Sequence, residues 1–387
     1  MKRNDLSKSL VAFKQDSTLV AVIELSDNRW VVGALVPGLT REPLKALPPD
    51  KDRLLHQLHR WRDEAVKAGK KIERIAVAME AGRSGFWLAR WLRRQGIESH
   101  VIHPSSVPVP REHRRPKSDR LDTGLLKRAF LGWLRGEAKH CSMAAIPTLP
   151  QEDARRPSRE HEHLVGERTS IVSRIKAAMA RHGIGKLKIR LRHISAELER
   201  LRTAEGDALP PNTLAELRRD VERLQLIRTQ IQAIEKQREE QLRRAPKQGT
   251  NAMLLLLAKV FGIGVETADM LVHEVLWRNL RDERSVGRYG GMTGSPDESG
   301  SKRREKGLAR AGNARVRRGM VQLAWRWVRF QKETALTQWF LTRTAGGPRG
   351  VRKKMIVALA RKLLIALWRY VNTGEVPTGV KLKAAAA

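Results

Sequence analysis

The chain has 387 residues, enough for two or three domains, and 41% of them are hydrophobic, which suffices for ordinary cores. Its 76 Lys and Arg against 41 Asp and Glu give a formal net charge of +35. Basic side chains that bind a polyanion release its counterions, and this release favours binding, so nucleic acid is the leading candidate partner. The composition excludes a disordered tail. The basic residues are spread along the whole chain, which argues against a membrane-surface protein.

Cysteine content and hydropathy limit the cellular compartments in which we expect this protein. The single cysteine, Cys141, excludes an internal disulfide and a cysteine-rich zinc site and suits a reducing cytosol. The first ten residues, MKRNDLSKSL, have no apolar segment of signal-peptide length. The most apolar run, MIVALARKLLIALW at 355–368, is interrupted by Arg361 and Lys362. We therefore expect a cytoplasmic protein that does not enter a membrane.

Strand and helix patterns alternate in the first 150 residues. Residues 19–36 are predicted to form two apolar strands around a polar turn, and a helix with a basic surface follows at about 50–69. IERIAVAME at 72–80 is then a buried strand, GFWLARWLRRQG an amphipathic helix, and ESHVIHP another strand. Two hairpin strands followed by strand, helix and strand predict an α/β domain over residues 1–150.

Long polar helices replace this pattern from residue 151. Apolar residues recur every three or four positions from 214 to 234, which is typical of a helix with one buried face. Candidate partner helices lie at about 155–182 and 187–201. The pattern predicts a helical hairpin or coiled-coil arm over residues 151–246.

A third, mostly α-helical region is predicted over residues 247–387. Within it, LLLLAKVFGIGVETADMLVHEV indicates a helix, a tight turn at Gly262–Gly264 and a second helix. Such a hairpin can present backbone N–H groups at a helix N-terminus to a phosphate of DNA or RNA. A plain connection between two helices is the alternative interpretation.

Four acidic residues stand where a phosphoryl-transfer site would place its metal ligands. Glu24 interrupts the apolar strand LVAVIEL and Glu80 ends the strand IAVAME. Asp119 and Asp122 stand three residues apart at the start of the helix DRLDTGLLKRAFLGWL, on one face. In ribonuclease H-like folds the carboxylates come from a first strand, a later strand and a helix, in this order. Singly, such acids are ordinary strand-end or helix-start residues. Together they predict a Mg²⁺ site, with Mn²⁺ as the alternative ion.

Basic residues surround this acidic set and recur after residue 301. We expect them to contact the phosphate backbone, while a solvated helix face is the alternative. The predicted nucleic-acid contacts are Arg114, Arg115, Lys117, Arg120, Lys302, Arg303, Arg304, Lys306, Arg310, Arg315, Arg317 and Arg318. Three tryptophans, Trp325, Trp327 and Trp339, have helical spacing and are expected in the core rather than stacked on bases.

Several motifs together resemble the DEDD transposases, or recombinases, of the IS-one-ten group of bacterial insertion sequences, including its IS-one-triple-one branch. MEAGRSGFWLARWLRRQGIESHVIHPSSV is similar to the second-acid segment of that family, and KSDRLDTGLL to its paired-aspartate segment. FGIGVETADMLVHEV, YGGMTGSPDESG and GLARAGNARVRRGMVQLAW are similar to its C-terminal transposase domain. The likeness extends over nearly the whole chain.

The resemblance implies a RuvC-like N-terminal domain at 1–150, a coiled-coil insertion at 151–246 that mediates oligomerisation, and a C-terminal transposase domain at 247–387. It implies a dimer or tetramer that acts on DNA at the element ends and the target. It also implies a structured noncoding guide RNA, a bridge RNA that pairs with both DNAs. The expected location is the bacterial cytoplasm, in association with the nucleoid.

The resemblance implies that three acids of the family's site correspond in this chain to Glu80, Asp119 and Asp122. Its first acid is usually Asp, whereas the best-aligned residue here is Glu24, which the strand, turn and strand follow. Asp16, eight residues upstream, is the rival.

The resemblance also implies a serine nucleophile within GMTGSPDESGSKRR, a glycine-rich segment that we expect to be an exposed loop. Ser299 matches the Ser-Gly position of the family, and Ser295 and Ser301 are the alternatives. A loop serine is more commonly a turn residue, and this segment has no His to act as a base, so activation would depend on the metal at the acidic site.

The predicted function is an RNA-guided DNA transposase that exchanges strands through a Ser299–DNA link. The alternatives are a RuvC-like nuclease that uses metal-activated water, and a non-catalytic nucleic-acid-binding protein.

Overall fold

The structure, a computed structural model, describes residues 9, 11–82, 84–108, 119–137, 140–185, 194–244, 248–299, 302–309 and 311–383. The chain divides into two compact units, Met1–Gln151 and Glu152–Ala387. Separate hydrophobic clusters form the cores of the two units.

The centre of the first unit is a five-stranded mixed sheet. Its strands are β1 (Thr18–Leu25), β2 (Trp30–Leu35), β3 (Leu44–Leu47), β4 (Arg74–Glu80) and β5 (Glu98–Ile102), and their order is β3-β2-β1-β4-β5. β1 pairs antiparallel with β2 and parallel with β4, and β4 pairs parallel with β5. Helices cover both faces, so β1 is apolar without interruption from residue 19 to residue 23.

Alternation along β1 and β4 divides their side chains between two cores. Odd-numbered residues of both strands pack against helices α1 (Lys51–Lys67) and α2 (Gly85–Arg94). Even-numbered residues pack against α3 (Asp119–Leu134). The face on which a residue of these strands lies therefore decides which helix it meets.

The predicted hairpin, strand, helix and strand are confirmed in the first unit, and so is its mixed α/β class. The edge strand β3 was not predicted. It has only four residues, three of them exposed, so its sequence LKAL lacks the apolar alternation that indicates a half-buried strand.

Two long helices, α5 (Arg156–Arg181) and α7 (Pro211–Arg244), dominate the start of the second unit. They run antiparallel, since Thr213 contacts His182 at one end and Glu235 contacts His161 at the other. Their shared core contains Ile175, Val221 and Leu224. Shorter helices α4 (Leu149–Asp153) and α6 (Ile194–Arg200) precede and accompany them.

The rest of the second unit is helical except for one β-hairpin. Helix α13 (Arg349–Thr373) is central, because its residues Leu359, Leu363 and Leu367 are fully buried. In the described part of the chain, no helix has both the length and the apolar character needed to cross a membrane. The elements are α8 (Gly249–Lys259), α9 (Val265–Leu271), a π-helical turn (Val272–Leu276), α10 (Glu283–Tyr289), β6 (Gly294–Ser299), β7 (Lys302–Leu308), α11 (Ala314–Phe330), α12 (Ala335–Thr344) and α13 (Arg349–Thr373).

Replacing Gly33 of β2 by valine is expected to lower the free energy of unfolding of the first unit. A Cβ at this position would stand 2.6 Å from Cγ2 of the buried Thr123 in α3, so the helix or the strand must shift. Overpacking of this kind costs about 1–3 kcal/mol. Urea unfolding followed by circular dichroism would measure it.

The matched control is Gly124→Ala in the same helix. A Cβ there meets no atom within 4 Å, so this variant should be neutral or gain up to about 1 kcal/mol from helix propensity. Equal stability of the two variants would contradict the tight contact between α3 and β2.

Candidate active site

Two of the predicted acids are neighbours at one edge of the sheet. The parallel register of β1 with β4 pairs Ile23 with Met79, so Glu24 and Glu80 follow side by side at the carboxyl ends of the two strands. Both are half-buried. They share strand parity with Val22 and Ala78, which pack against α3. The two glutamates therefore belong to the sheet face that α3 covers.

Helix α3, which carries the paired aspartates, packs against this sheet face. Asp119 is its first residue and Asp122 follows one turn later, half-buried, while the side chain of Asp119 lies outside the described residues. Thr123 of the same turn packs over Gly33, which pairs with Val22 of β1. The amino end of α3 is thus held over β2 at the level of Val22, two residues before Glu24.

The donor chemistry of this set suits a hard cation, because carboxylate oxygens are the ligands that Mg²⁺ prefers. In the portion of the chain with described side chains, no three acidic, histidine or cysteine residues are grouped closely enough to hold a metal ion. Asp119, the fourth predicted ligand, is not part of that portion. The ligand types fit the predicted ion, whereas the described side chains do not by themselves form a three-ligand site.

Gly85 has a specific role beside Glu80. It is the first residue of α2, and a Cβ there would stand 2.5 Å from the backbone carbonyl oxygen of Glu80. Only glycine lets α2 begin this close to the end of β4. The close approach of Gly85 to this carbonyl therefore helps to fix the backbone that carries the second predicted acid.

Asp16, the rival for the first acid, lies at the other end of β1. It belongs to a short 3₁₀ turn, Gln15–Ser17, that precedes the strand. Its carboxylate forms an ion pair of 2.7 Å with Lys70 and is 85% exposed. Glu80 is at the opposite edge of the sheet, so Asp16 is far along the strand from the other predicted acids.

The serine segment is a β-hairpin rather than the predicted loop. β6 and β7 pair antiparallel, and Ser299, the last residue of β6, pairs with Lys302, the first of β7. The backbone register sets Asp297 and Glu298 opposite Arg304 and Arg303. The loop prediction was wrong because these strands contain no β-branched or aromatic residue, which removes the usual strand signal.

The three candidate serines fall at different places on this hairpin. Ser295 is half-buried near the start of β6, and Ser299 stands at the end of that strand. The side chain of Ser299 and the whole of Ser301 lie outside the described residues.

Tight backbone contacts hold the base of the hairpin. The N–H of Asn313 donates to the carbonyl of Tyr289, 2.7 Å away, which joins the segments before and after the two strands. Gly291 and Gly312 have φ of +67° and +87° and lie against neighbouring backbone, where a side chain would be strained. Arg317 of α11 donates to the carbonyl of Gly291 at 3.3 Å. The hairpin therefore extends from a closely packed base.

The predicted nucleic-acid contacts have different environments. Arg315 and Arg318, in the first turns of α11, both form ion pairs with Glu162 of α5. Arg304 is exposed on β7. Arg114, Arg115, Lys117 and Arg310 lie outside the described residues, as do the side chains of Arg120, Lys302, Arg303 and Lys306.

A buried carboxylate that the sequence analysis missed connects these parts of the second unit. Glu274, on the π-helical turn, is 1% exposed and accepts from Arg159 of α5 at 2.8 and 3.2 Å and from Asn313 at 3.1 Å. Burial acts to raise the pKa of Glu274, but the hydrogen bonds and charge of Arg159 outweigh it and the pKa is lowered. The only signal in the sequence was a charged residue within the apolar run MLVHEVL.

The fold and these residues define a class: a strongly basic, two-unit protein with carboxylates at one edge of an α/β sheet and a serine-bearing hairpin on a helical core. The profile of the family described as Transposase IS116/IS110/IS902 matches residues 254–339. The chain is also 38% identical over 394 residues to "Putative transposase y4rJ" of Sinorhizobium fredii (strain NBRC 101917 / NGR234), with 98% of each chain covered. The chain belongs to the IS116/IS110/IS902 family of transposases, which confirms the predicted resemblance at the level of the family.

Removing the charge of Glu274 should destabilise the second unit. Glu274→Gln leaves the guanidinium of Arg159, whose side chain is 36% exposed, against a neutral amide, and the loss of a hydrogen bond between charged groups costs about 1.5–3 kcal/mol. Since the folded-state pKa lies below the ordinary 4.5, this stabilisation is complete above pH 4.5 and is lost as pH falls through the folded value. In urea unfolding at several pH values, the free energies of unfolding of the natural protein and of Glu274→Gln should become equal only below pH 4.5.

The control is Glu283→Gln, which removes an exposed partner of Arg369. Exposed pairs contribute about 0–1 kcal/mol, so this variant should differ little from the natural protein at any pH. A Glu274→Gln variant as stable as the control would show that Glu274 does not hold the unit together.

Proposed function

We propose that this transposase family member is an RNA-guided DNA recombinase in which Ser299 forms a covalent link to DNA, assisted by Mg²⁺ at Glu24, Glu80, Asp119 and Asp122. One observation carries the proposal. Glu24 and Glu80 are neighbours at the ends of paired parallel strands, on the face covered by the helix that begins with Asp119. The RuvC-like assignment of residues 1–150 belongs to the proposal and is supported by the same arrangement of hairpin, parallel strands and helix.

The serine supplies the nucleophile. Its hydroxyl oxygen attacks a DNA phosphorus, so that one P–O bond to serine forms and one P–O bond to a sugar breaks. In net terms the serine proton passes to the sugar oxygen that leaves. Attack by another DNA hydroxyl on the phosphoserine reverses this chemistry, joins new strands and restores serine. The phosphodiester bond energy is conserved because no water takes part.

Basic residues next to the serine suit this chemistry. The register places Ser299 opposite Lys302, and the exposed Arg304 follows on the same strand. Cations at these positions would bind the phosphates on either side of the attacked bond. Mg²⁺, when bound by the four carboxylates, would supply charge neutralisation at the reacting phosphate.

The guide RNA and the oligomer complete the proposal. A net charge of +35 suits a protein that holds more than one nucleic-acid strand at the same time. The antiparallel pair α5 and α7 is the proposed arm through which dimers or tetramers form. With RNA pairing to DNA, the protein itself would contact mainly shape and backbone.

Covalent trapping would test the serine step. Full-length protein with its copurified RNA, Mg²⁺ and DNA spanning the element ends should give a protein–DNA adduct on a denaturing gel. Ser299→Ala and Asp119→Asn should each reduce the adduct by about 1,000-fold or more, since both remove a group on which the reaction depends.

Ser295→Ala, on the same strand, is the matched control and should keep the adduct. Normal recombination by Ser299→Ala would overturn the serine assignment. Cleaved DNA without any adduct would instead identify a nuclease that uses water.

A second pair of variants separates the two candidates for the first acid. Glu24→Gln keeps the size of the side chain but removes a metal-binding charge, so adduct formation should slow by about 100-fold. Asp16→Asn removes only an exposed pair with Lys70 and should change the rate less than twofold. The measurement is the initial rate of adduct formation across a Mg²⁺ titration. A loss confined to Asp16→Asn would reverse the assignment.

A further inference from the structure

The last three helices of the second unit are almost free of acidic residues. From Ala314 to Thr373, which spans α11, α12 and α13, the sequence contains one acid, Glu333, in the connection between α11 and α12. The basic residues of the same segment are Arg315, Arg317, Arg318, Arg326, Arg329, Lys332, Arg343, Arg349, Arg352, Lys353, Lys354, Arg361, Lys362 and Arg369. Such a surface is built for an anionic partner, because its charges have few carboxylates of their own.

An exposed indole lies on this surface. Trp325 of α11 is 39% exposed, whereas its helix neighbour Trp327 is buried in the core. The edge contact of Trp325 with the buried Phe340, 6.2 Å between ring centroids, anchors the ring. The sequence expectation that both tryptophans are core residues is therefore wrong for Trp325.

A guanidinium is held against the same ring. Arg352 of α13 lies 5.6 Å from the centroid of Trp325. The pattern repeats at Trp339 of α12, which has Lys362 at 4.9 Å and Arg343 at 6.0 Å. A cation on the face of an aromatic ring is attracted by the π electrons, so these charges are fixed beside flat apolar surfaces.

These cations differ from others in the unit. Arg315 and Arg318 are paired with Glu162, and Arg369 with Glu283. Within the described part of the chain, Arg343, Arg352 and Lys362 have no carboxylate at ion-pair distance; their contacts are with indole rings. Their charge is available to a phosphate at no cost in broken ion pairs.

We infer that the acid-free helices α11, α12 and α13 bind a single strand of nucleic acid, with Trp325 as the platform on which an unpaired base stacks and Arg352 as a contact to the adjacent phosphate. Flat aromatic rings flanked by cations are the common means of binding single strands, since every base has a π face. A duplex, whose bases are already stacked on each other, cannot use the platform.

The inference rests on the proposed function for its biological meaning. Strand exchange exposes unpaired DNA, and a guide RNA has unpaired bases outside its helices. Both share the chemistry of an unpaired base on a phosphodiester chain, so the experiment compares the two sources.

The test is fluorescence anisotropy of labelled 20-nucleotide single-stranded DNA, single-stranded RNA and duplex DNA, unrelated in sequence to any element, with full-length protein freed of RNA. Trp325→Leu keeps an apolar side chain against Phe340 but removes the stacking face. It should weaken binding of at least one single strand by about five- to a hundredfold and leave duplex binding within twofold. Trp325→Phe should restore most of the loss. The probe whose affinity falls more, single-stranded DNA or single-stranded RNA, identifies which nucleic acid supplies the unpaired base.

Trp87→Leu is the matched control. Trp87, on α2 of the first unit, is also 39% exposed, and no cation of the described residues lies on its ring. It should bind all three probes like the natural protein. Arg352→Gln alters only an exposed side chain, so it tests the site even if Trp325→Leu fails to fold. It should weaken single-strand binding by about two- to tenfold and reduce the salt dependence by about one phosphate contact.

Unchanged single-strand affinity in Trp325→Leu and Arg352→Gln would overturn the inference. So would an equal loss in Trp87→Leu, or an equal loss for the duplex, which would indicate a general effect of charge or folding. The binding assay needs neither Mg²⁺ nor the reactive serine. A missing covalent adduct would therefore reject the proposed serine chemistry without bearing on single-strand binding. Likewise, unchanged single-strand binding in the variants would reject the binding site without bearing on the serine chemistry.

Discussion

The parallel pairing of β1 with β4 is the constraint on which the first unit depends. The register of this pairing makes Glu24 the neighbour of Glu80. Because side chains alternate between the two faces of a sheet, both glutamates belong to the face that α3 covers. A slip of either strand by one residue would turn its glutamate to the face occupied by α1 and α2 and separate it from the other glutamate. Gly33 and Gly85 support this arrangement from two sides, because each allows a helix to approach the sheet where a side chain would prevent it.

A different constraint governs the second unit, where a large positive charge has to be accommodated. In the interior, the carboxylate of Glu274 offsets part of this charge by accepting hydrogen bonds from Arg159, and it also accepts one from Asn313. Asn313 in turn caps α11 and is joined by its backbone to Tyr289 at the base of the hairpin. The long helix α5, the base of the serine hairpin and α11 are thus connected through one buried carboxylate. Together these contacts hold the base of the hairpin in place.

The distribution of charge outside that network suggests a division of tasks. Ion pairs with Glu162 engage two cations at the start of α11, whereas three cations of α12 and α13, Arg343, Arg352 and Lys362, lie against indole rings. The first arrangement favours a fixed internal geometry and the second leaves charge for a partner.

The sequence by itself determined the class of each region, because burial periodicity and net charge are local or additive properties. Apolar runs gave β1, β4 and β5, the spacing of Leu and Ile gave α7, and the order of Glu24, Glu80 and Asp119 was readable without coordinates. Only the tertiary structure decided which residues meet. The strands of the serine hairpin carry no apolar pattern, so their pairing could not be predicted from the sequence. Trp325 and Trp327 are two residues apart on one helix, yet packing of α12 and α13 buries one and leaves the other exposed. Glu274 shows the same limit, since a carboxylate becomes a structural centre only when Arg159, 115 residues away along the chain, is folded against it.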